Sequence, residues 1–183
     1  MEYCVLIEKT AAAYHLPVQL VAAMAGVESG GDACACRFEP AFLERYVRPD
    51  QSVRARGACS LETERQALAT SWGLMQVMGA TARGLGFNGP FLSALTDPAT
   101  GLEYGCRLLA RLRDRHYAKL GWPGVVAAYN AGSPRLTTAG RYVNQEYVDR
   151  IAKALGGQWP GGEGPAGAIH NSDTLAVDVA QNP

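Results

Sequence analysis

The chain has 183 residues, of which 48% are apolar and 19% are charged, with 17 basic and 17 acidic residues. That length fits one domain with a real hydrophobic core, and the apolar fraction excludes wholesale disorder. A formal net charge of zero disfavours general nucleic-acid binding, which depends on neutralising phosphates. No apolar stretch reaches the roughly 20 residues of a membrane span.

Two helices are predicted at the start of the chain. Apolar residues recur at helical spacing from Cys4 to Tyr14, which indicates the first helix. Because charged residues interrupt this segment, it does not resemble a signal peptide, and we expect synthesis in the cytoplasm. Pro17 is a favourable first residue for the second helix, which is apolar nearly all round and therefore buried. Gly30-Gly31 ends it just after Glu28.

The middle of the chain gives weaker signals. Residues 31–60 show no sustained period, although Ala41–Val47 could form a short helix. Helix-forming residues return over 62–70, and the short apolar segment Gly73–Met78 follows. A turn of helix is also predicted over Thr81–Leu85. No run of alternating residues indicates a β-strand.

The second half again predicts helices. Asp97-Pro98 combines a capping residue with proline at the first helical position, and Pro123 opens another helix that Gly132 ends. The last helix is predicted over Gln145–Leu155. The expected fold class is all-α, with one domain over residues 1–155. Residues 156–183, rich in Gly and Pro, are expected to form a flexible tail.

Glu28 is the first candidate for chemistry. It lies at the end of a buried helix, where the helix dipole and burial both disfavour a negative charge. A carboxyl group with a raised pKa can act as a general acid near neutral pH. The alternative is an ordinary surface glutamate at a frayed helix end.

Two further segments contain polar groups in apolar surroundings. Gln76, between methionines and leucine, needs a hydrogen-bond partner from the protein or from a ligand. Tyr129 and Asn130 come at the end of a short helix, where they could stack on a sugar and bind its hydroxyls. The alternatives are core packing for the first segment and a helix cap for Asn130.

These segments together resemble a known family. Glu-Ser-Gly at 28–30, Gly-Leu-Met-Gln at 73–76 and Ala-Tyr-Asn-Ala-Gly at 128–132 are similar to the three hallmark motifs of the lytic transglycosylases. The family is that of the soluble lytic transglycosylases, which are related to goose-type lysozyme. Tyr-Val-Asp-Arg-Ile at 147–151 is similar to a late helix of the family, and the compact form resembles phage endolysins.

The resemblance implies a lysozyme-like catalytic domain that cleaves the β-1,4 bond between N-acetylmuramic acid and N-acetylglucosamine in peptidoglycan, without a metal or other cofactor. Glu28 matches the single catalytic carboxylate of the family. The expected substrate-binding residues are Gln76, Met78, Tyr129, Asn130 and Tyr147. The enzyme is expected to be a monomer that acts on the periplasmic cell wall after release by phage lysis machinery.

The second carboxylate of the goose-type hydrolases is missing at its expected position. Those enzymes have an aspartate six residues before the glycine of the second motif, and here that residue is Ala67. The product expected from a single glutamate is 1,6-anhydro-muramic acid. Glu39 remains a possible second carboxylate for hydrolysis by water, although it could simply pair with Arg37. Asp32 is too close to Glu28 in sequence to face it across a cleft without a tight turn.

Two other functions stay open from the sequence. The odd number of cysteines argues against a fully paired disulfide framework, and Cys34, Cys36 and Cys59, with His116, could bind zinc. Their spacing does not match the usual zinc-binding patterns, so one disulfide or unpaired thiols are the other interpretations. A non-catalytic virion or wall-binding protein could also keep the fold after losing the activity.

Overall fold

A computed structural model describes residues 3–162, which fold into a mostly helical domain and confirm the all-α prediction. A π-helical turn over Leu43–Val47 continues the third helix, and a 3-10 turn covers Leu92–Thr96. The helices in the described part of the chain are α1 (Cys4–Ala13), α2 (Val18–Ser29), α3 (Pro40–Phe42), α4 (Leu61–Leu68), α5 (Gly79–Gly84), α6 (Pro98–Ala131) and α7 (Gln145–Ala154).

A small antiparallel sheet corrects the expectation that the chain has no strands. Its strands are β1 (Cys36–Phe38), β2 (Thr70–Trp72) and β3 (Val77–Met78), with β2 in the middle. Each strand has only two or three residues, which is too short for an alternating pattern to show in the sequence. The sheet brings the irregular segment after α2 back against the Gly73–Met78 segment.

Helix α6 begins and breaks where the sequence indicates. The Asp97 side chain accepts a hydrogen bond from the Thr100 N–H, at 2.9 Å, as an N-terminal cap. The helix is interrupted at Gly121, whose φ of 58° and ψ of −168° are not helical. The helix resumes at once, so Pro123 lies in the first turn of the second half, where proline is tolerated.

The core sits between four helices. Helix α1 packs on α2 and α6, and α7 packs on the same two helices. Helix α2 is central, since its Leu20, Val21, Met24 and Ala25 have no exposed surface. Tyr147, Val148 and Ile151 bury one face of α7. Helices α2, α6 and α7 therefore form one rigid block, and the candidate site is built on its edge.

The last described residues continue along the core. Trp159 is partly buried and packs against it. The predicted tail over residues 156–183 falls mostly outside the described residues, because the structure describes the chain only to residue 162. No helix in the described part of the chain is long and apolar enough to cross a membrane.

Cysteines form no site in the described part of the chain. Cys34 and Cys36 are exposed, Cys59 is half-buried and Cys106 is buried, and none of these four forms a disulfide there. Within residues 3–162 no three His, Cys, Asp or Glu side chains come together to hold a metal ion. The zinc interpretation therefore has no structural support in this part of the chain.

Candidate active site

Glu28 lies in the last turn of α2, beside an ordered helix end. Gly30 ends the helix in the left-handed conformation, with φ of 68°, and its N–H bonds to the Gly26 carbonyl. This geometry favours glycine, because a Cβ disfavours positive φ. Since the helix is capped and buried on its inner side, the half-buried Glu28 carboxyl is held in a defined position. It is not a surface glutamate on a frayed end.

The surroundings of Glu28 favour its protonated form. Burial removes water from the carboxylate and raises the pKa of Glu28 above its usual value. Tyr147 opposes this effect by donating a hydrogen bond from Oη to Glu28 Oε1, at 2.5 Å. The positive charges of Arg150 and Arg37 also lower this pKa, but burial dominates. The result is a carboxyl group that holds its proton to higher pH than an ordinary glutamate, which suits a general acid.

The connection between β2 and β3 forms the floor beside Glu28. Leu74 and Met75 point into the core and are 1% and 0% exposed. Gly73 has φ of 69°, and a Cβ on it would lie 2.3 Å from the Leu95 carbonyl oxygen. Gln76 also has positive φ, at 45°. The motif Gly-Leu-Met-Gln is therefore a tight, buried turn that only a glycine at its first position permits.

Two side chains fasten this turn to the helices. Ser29 Oγ, next to Glu28, donates to the Leu74 carbonyl at 3.0 Å and lies 3.0 Å from the Ala25 carbonyl. Tyr129 Oη donates to the Met75 carbonyl at 2.7 Å. The three sequence motifs thus meet at one place, with the turn held between α2 and α6.

Tyr129 is close to Glu28, but its hydroxyl is occupied by protein. Burial raises the pKa of Tyr129, and the negative charge of Glu28 adds to the effect. Because the hydroxyl donates to Met75, any contact with a sugar would use the ring or the oxygen lone pairs. The half-buried Tyr129 side chain therefore positions the turn, and its ring and oxygen lone pairs remain the groups that a ligand could contact.

Gln76 and Met78 also find protein partners. The Gln76 Nε2 donates to the carbonyls of Ala35 and Gly73, each at 3.0 Å, so the amide ties the turn to the segment before β1. Met78 Sδ accepts a hydrogen bond from Ser71 Oγ at 3.0 Å. Both side chains are half-buried at the edge of the sheet. The need of Gln76 for a partner is thus met by backbone carbonyls.

An open pocket of about 630 Å³ lies along the first turns of α7. Asn130 accepts a hydrogen bond at Oδ1 from Asn144 Nδ2, at 2.9 Å, and the same nitrogen lies 3.0 Å from the Ala127 carbonyl. Asn130 therefore links α6 to the start of α7 and does not simply cap its own helix. The pocket is lined by Asn130, Asn144, Glu146, Tyr147 and Arg150.

Glu39, the possible second carboxylate, pairs with an arginine and makes no hydrogen bond to Glu28. Its carboxylate forms an ion pair with Arg37 at 2.5 Å, and its N–H bonds to the Ala69 carbonyl. Asp32 Oδ1 accepts a hydrogen bond from the Cys34 N–H at 2.8 Å. The charged groups that act on Glu28 are arginines, so neither carboxylate has a visible influence on the pKa of Glu28.

Sequence reasoning missed four residues of the site. Ser29, Asn144, Arg37 and Arg150 bind or surround the predicted side chains, yet each looks like an ordinary polar residue in the sequence. For Ser29 a signal existed, since the serine between Glu28 and Gly30 is part of the first motif. Arg150 also had a signal, since it is part of the motif at 147–151. Asn144 and Arg37 depend on contacts between distant elements, which no local pattern reveals.

A helical domain with a half-buried glutamate of raised pKa at the end of a buried helix, beside an open pocket, has the organisation of a lysozyme-like domain. Residues 5–150 match the family described as "Transglycosylase SLT domain". The chain belongs to this family.

One curated relative is an endolysin of Enterobacteria phage PRD1. It is 43% identical to this chain over 60 residues, which cover 29% of this chain and 40% of the endolysin. The chain thus matches less than half of that protein's length. No solved structure matches the chain significantly.

Proposed function

We propose that this chain is a lytic transglycosylase that cleaves the β-1,4 bond between N-acetylmuramic acid and N-acetylglucosamine in peptidoglycan. The observation that carries the proposal is the half-buried Glu28, whose pKa is raised by burial and whose carboxyl is held by Tyr147. A protonated carboxyl in a fixed position can deliver a proton to a glycosidic oxygen. Membership of the transglycosylase family supports a peptidoglycan-cleaving reaction.

Glu28 would act twice in this reaction. As an acid it protonates the oxygen of the leaving N-acetylglucosamine, and the 2-acetamido group of the muramic sugar assists at the anomeric carbon. As a base Glu28 then takes the proton of the C6 hydroxyl, and the C6 oxygen attacks the anomeric carbon. The bond to the leaving sugar is broken, a 1,6-anhydro ring is closed and no water is consumed.

The residues around Glu28 favour ring closure over hydrolysis. Ordinary glycoside hydrolysis uses two carboxyl groups, and the charged groups acting on Glu28 are arginines. Ala67, on α4, has no group that could activate water. The C6 hydroxyl is already tethered to the reacting centre, so its attack gains effective molarity that a free water lacks. A muramidase that uses water is the alternative, with Glu39 as the residue to test.

The pocket along α7 would hold part of the sugar chain. Asn130 is exposed there and Tyr147 lines the wall next to Glu28. Gln76, Met78 and Tyr129 would shape the opposite side through the turn that they hold. The contacts above give each of these residues a second role in the fold.

The relative named as an endolysin suggests where such an enzyme would act. We infer action on the cell wall during phage-induced lysis, on the glycan strands of peptidoglycan, by a monomeric enzyme without a cofactor. The match to the endolysin, which covers 40% of that protein, supports this setting.

The proposal is tested by the clearing of a suspension of chloroform-permeabilised Gram-negative cells. Wild-type protein should lower the turbidity, and Glu28→Gln should lower the rate by at least ~100-fold, the scale of general acid catalysis. Glu8→Gln, the same change at an exposed position of α1, is the matched control and should clear at the wild-type rate. Clearing by Glu28→Gln at the wild-type rate would remove Glu28 from the mechanism. No clearing by wild-type protein would point to the non-catalytic wall-binding alternative.

A further inference from the structure

Arg150 is a cation in the pocket whose charge lowers the pKa of Glu28 but which has no assigned contact with the substrate in the reaction described above. It is exposed on α7 and lines the pocket with Asn130 and Tyr147. Within residues 3–162 no carboxylate lies within ion-pair distance of it. The neighbouring arginines differ, since Arg37 pairs with Glu39 at 2.5 Å and Arg141 with Asp149 at 3.8 Å. Arg150 is therefore available to a ligand.

Arg150 lies close to the proposed acid through its contact with Tyr147. Its guanidinium carbon lies 5.6 Å from the centre of the Tyr147 ring, in a cation–π contact. Tyr147 is 4% exposed and donates its hydroxyl hydrogen bond to Glu28. The guanidinium thus lies against the ring of the buried side chain that hydrogen-bonds Glu28, so a group bound by Arg150 would lie near Glu28.

The chemistry of the glycan indicates what this cation would bind. The hydroxyls and acetamido groups of the sugars are neutral, and the anionic groups of a peptidoglycan strand hang from the 3-oxygen of muramic acid. A guanidinium binds a carboxylate with two parallel hydrogen bonds, a match that neutral sugar groups do not offer. The charge and the position of Arg150 therefore suit the substituent on the muramic sugar.

We propose that Arg150 binds a carboxylate of the muramic acid substituent and so selects muramyl glycans over neutral N-acetylglucosamine polymers. The inference rests on the proposed function. The carboxylate is that of the lactyl group in strands without peptides, or one of the peptide carboxylates in strands that carry them. In both cases the same ion pair forms beside the scissile bond.

Glu146 provides a second test of carboxylate binding by Arg150. Its exposed carboxylate also lines the pocket, one helical turn before Arg150, and the two make no ion pair within 4.0 Å. A bound carboxylate would be repelled by Glu146 and attracted by Arg150. Glu146→Gln should therefore tighten binding, while Arg150→Gln should weaken it.

Binding and turnover are measured separately to test the assignment. Binding of glycan strands is titrated in a Glu28→Gln background, with and without Arg150→Gln. KM and kcat are measured with Glu28 intact. The substrates are peptide-free strands, peptide-bearing strands and a neutral chito-oligosaccharide. Arg150→Lys reports on the need for a guanidinium, and Arg141→Gln, outside the pocket, is the matched control.

We expect Arg150→Gln to raise Kd and KM by about 10-fold or more for at least one muramyl substrate, the scale of a hydrogen bond to a charged group. Kcat should change less, Arg150→Lys should recover part of the loss, and the neutral oligosaccharide should bind as before. A loss confined to peptide-free strands identifies the lactyl carboxylate, and a loss confined to peptide-bearing strands identifies the peptide.

The two proposals fail in different ways. Unchanged Kd and KM on both muramyl substrates, or an equal loss on the neutral oligosaccharide, would overturn the role of Arg150 even if the wild-type enzyme cleaves normally. Arg150-dependent binding by the Glu28→Gln protein, together with no cleavage by the wild type, would support the binding site and refute the proposed reaction.

Discussion

The hydroxyl of Tyr129 is expected to hold the turn between β2 and β3, and its removal tests that role. Tyr129→Phe keeps the ring and deletes one hydrogen bond, from Oη to the Met75 carbonyl at 2.7 Å. Met75 is fully buried, so its carbonyl would lose a partner in a place that water reaches poorly. An unsatisfied buried acceptor costs about 1–3 kcal/mol of folding free energy.

This loss can be measured as a change in melting temperature. For a chain of this size each kcal/mol lowers Tm by roughly 2–4 °C, so Tyr129→Phe should melt about 2–12 °C below wild type. At a temperature well below Tm, the activity of Tyr129→Phe should fall by less than ~10-fold. The substitution makes one turn more mobile but removes no group that takes part in proton transfer. Tyr142→Phe is the matched control, because Tyr142 is half-buried and its hydroxyl has no hydrogen-bond partner within residues 3–162.

Circular dichroism melting and cell-wall clearing should be run on the same preparations. A Tyr129→Phe protein with unchanged Tm and an activity loss of ~100-fold or more would contradict this reasoning. Such a result would mean that the hydroxyl acts on the sugar and that its bond to the Met75 carbonyl contributes little to the fold.

Three further outcomes follow from the ionisable groups. Tyr147→Phe deletes a hydrogen bond that favours ionised Glu28, so the pKa of Glu28 should rise and the alkaline limb of kcat/KM should move to higher pH; an unmoved limb would contradict this. The pKa of Glu28 is higher in the folded chain than in the unfolded chain. The folded state therefore loses stability as the pH rises from the ordinary carboxyl range through this raised pKa. Glu28→Gln should therefore unfold at higher urea than wild type at pH 7, with the gap closing below about pH 4. Glu64→Gln leaves the nearly buried Arg83 without its carboxylate partner at 2.9 Å and should cost about 3–5 kcal/mol in urea unfolding, whereas the exposed pair removed by Glu44→Gln should cost less than about 1 kcal/mol.

The helices could be predicted because each carries its own local signal. The caps at Asp97 and Gly30 and the nearly continuous apolar sequence of α2 are properties of neighbouring residues, and the structure follows them closely. The strands could not be predicted, because two or three residues give no period and their pairing depends on a partner far along the chain. Cys36 faces Trp72 across more than thirty residues, which no local pattern encodes.

In the candidate site, too, features with a local sequence signal could be predicted and contacts between distant elements could not. Glu28 could be singled out since a carboxylate at the end of an apolar helix conflicts with the needs of the fold. The sequence predicts Tyr147 only as a substrate-binding residue, not as the hydrogen-bond partner of Glu28. The charges of Arg150 and Arg37 could not be placed beside Glu28, because they reach it from the last helix and the first strand. Tyr129 was predicted to meet the sugar, but the sequence could not show that its hydroxyl is already bonded to Met75.

The central claim is that one glutamate, without a second carboxylate, closes an anhydro ring on the muramic sugar. Mass spectrometry of the fragments released from purified peptidoglycan tests it most directly. We expect 1,6-anhydro-muropeptides as the main product, each lighter by one water molecule than the product of hydrolysis. Fragments that end mainly in reducing muramic acid would contradict the claim. They would point to a water-using muramidase, with Glu39→Gln as the next variant to measure.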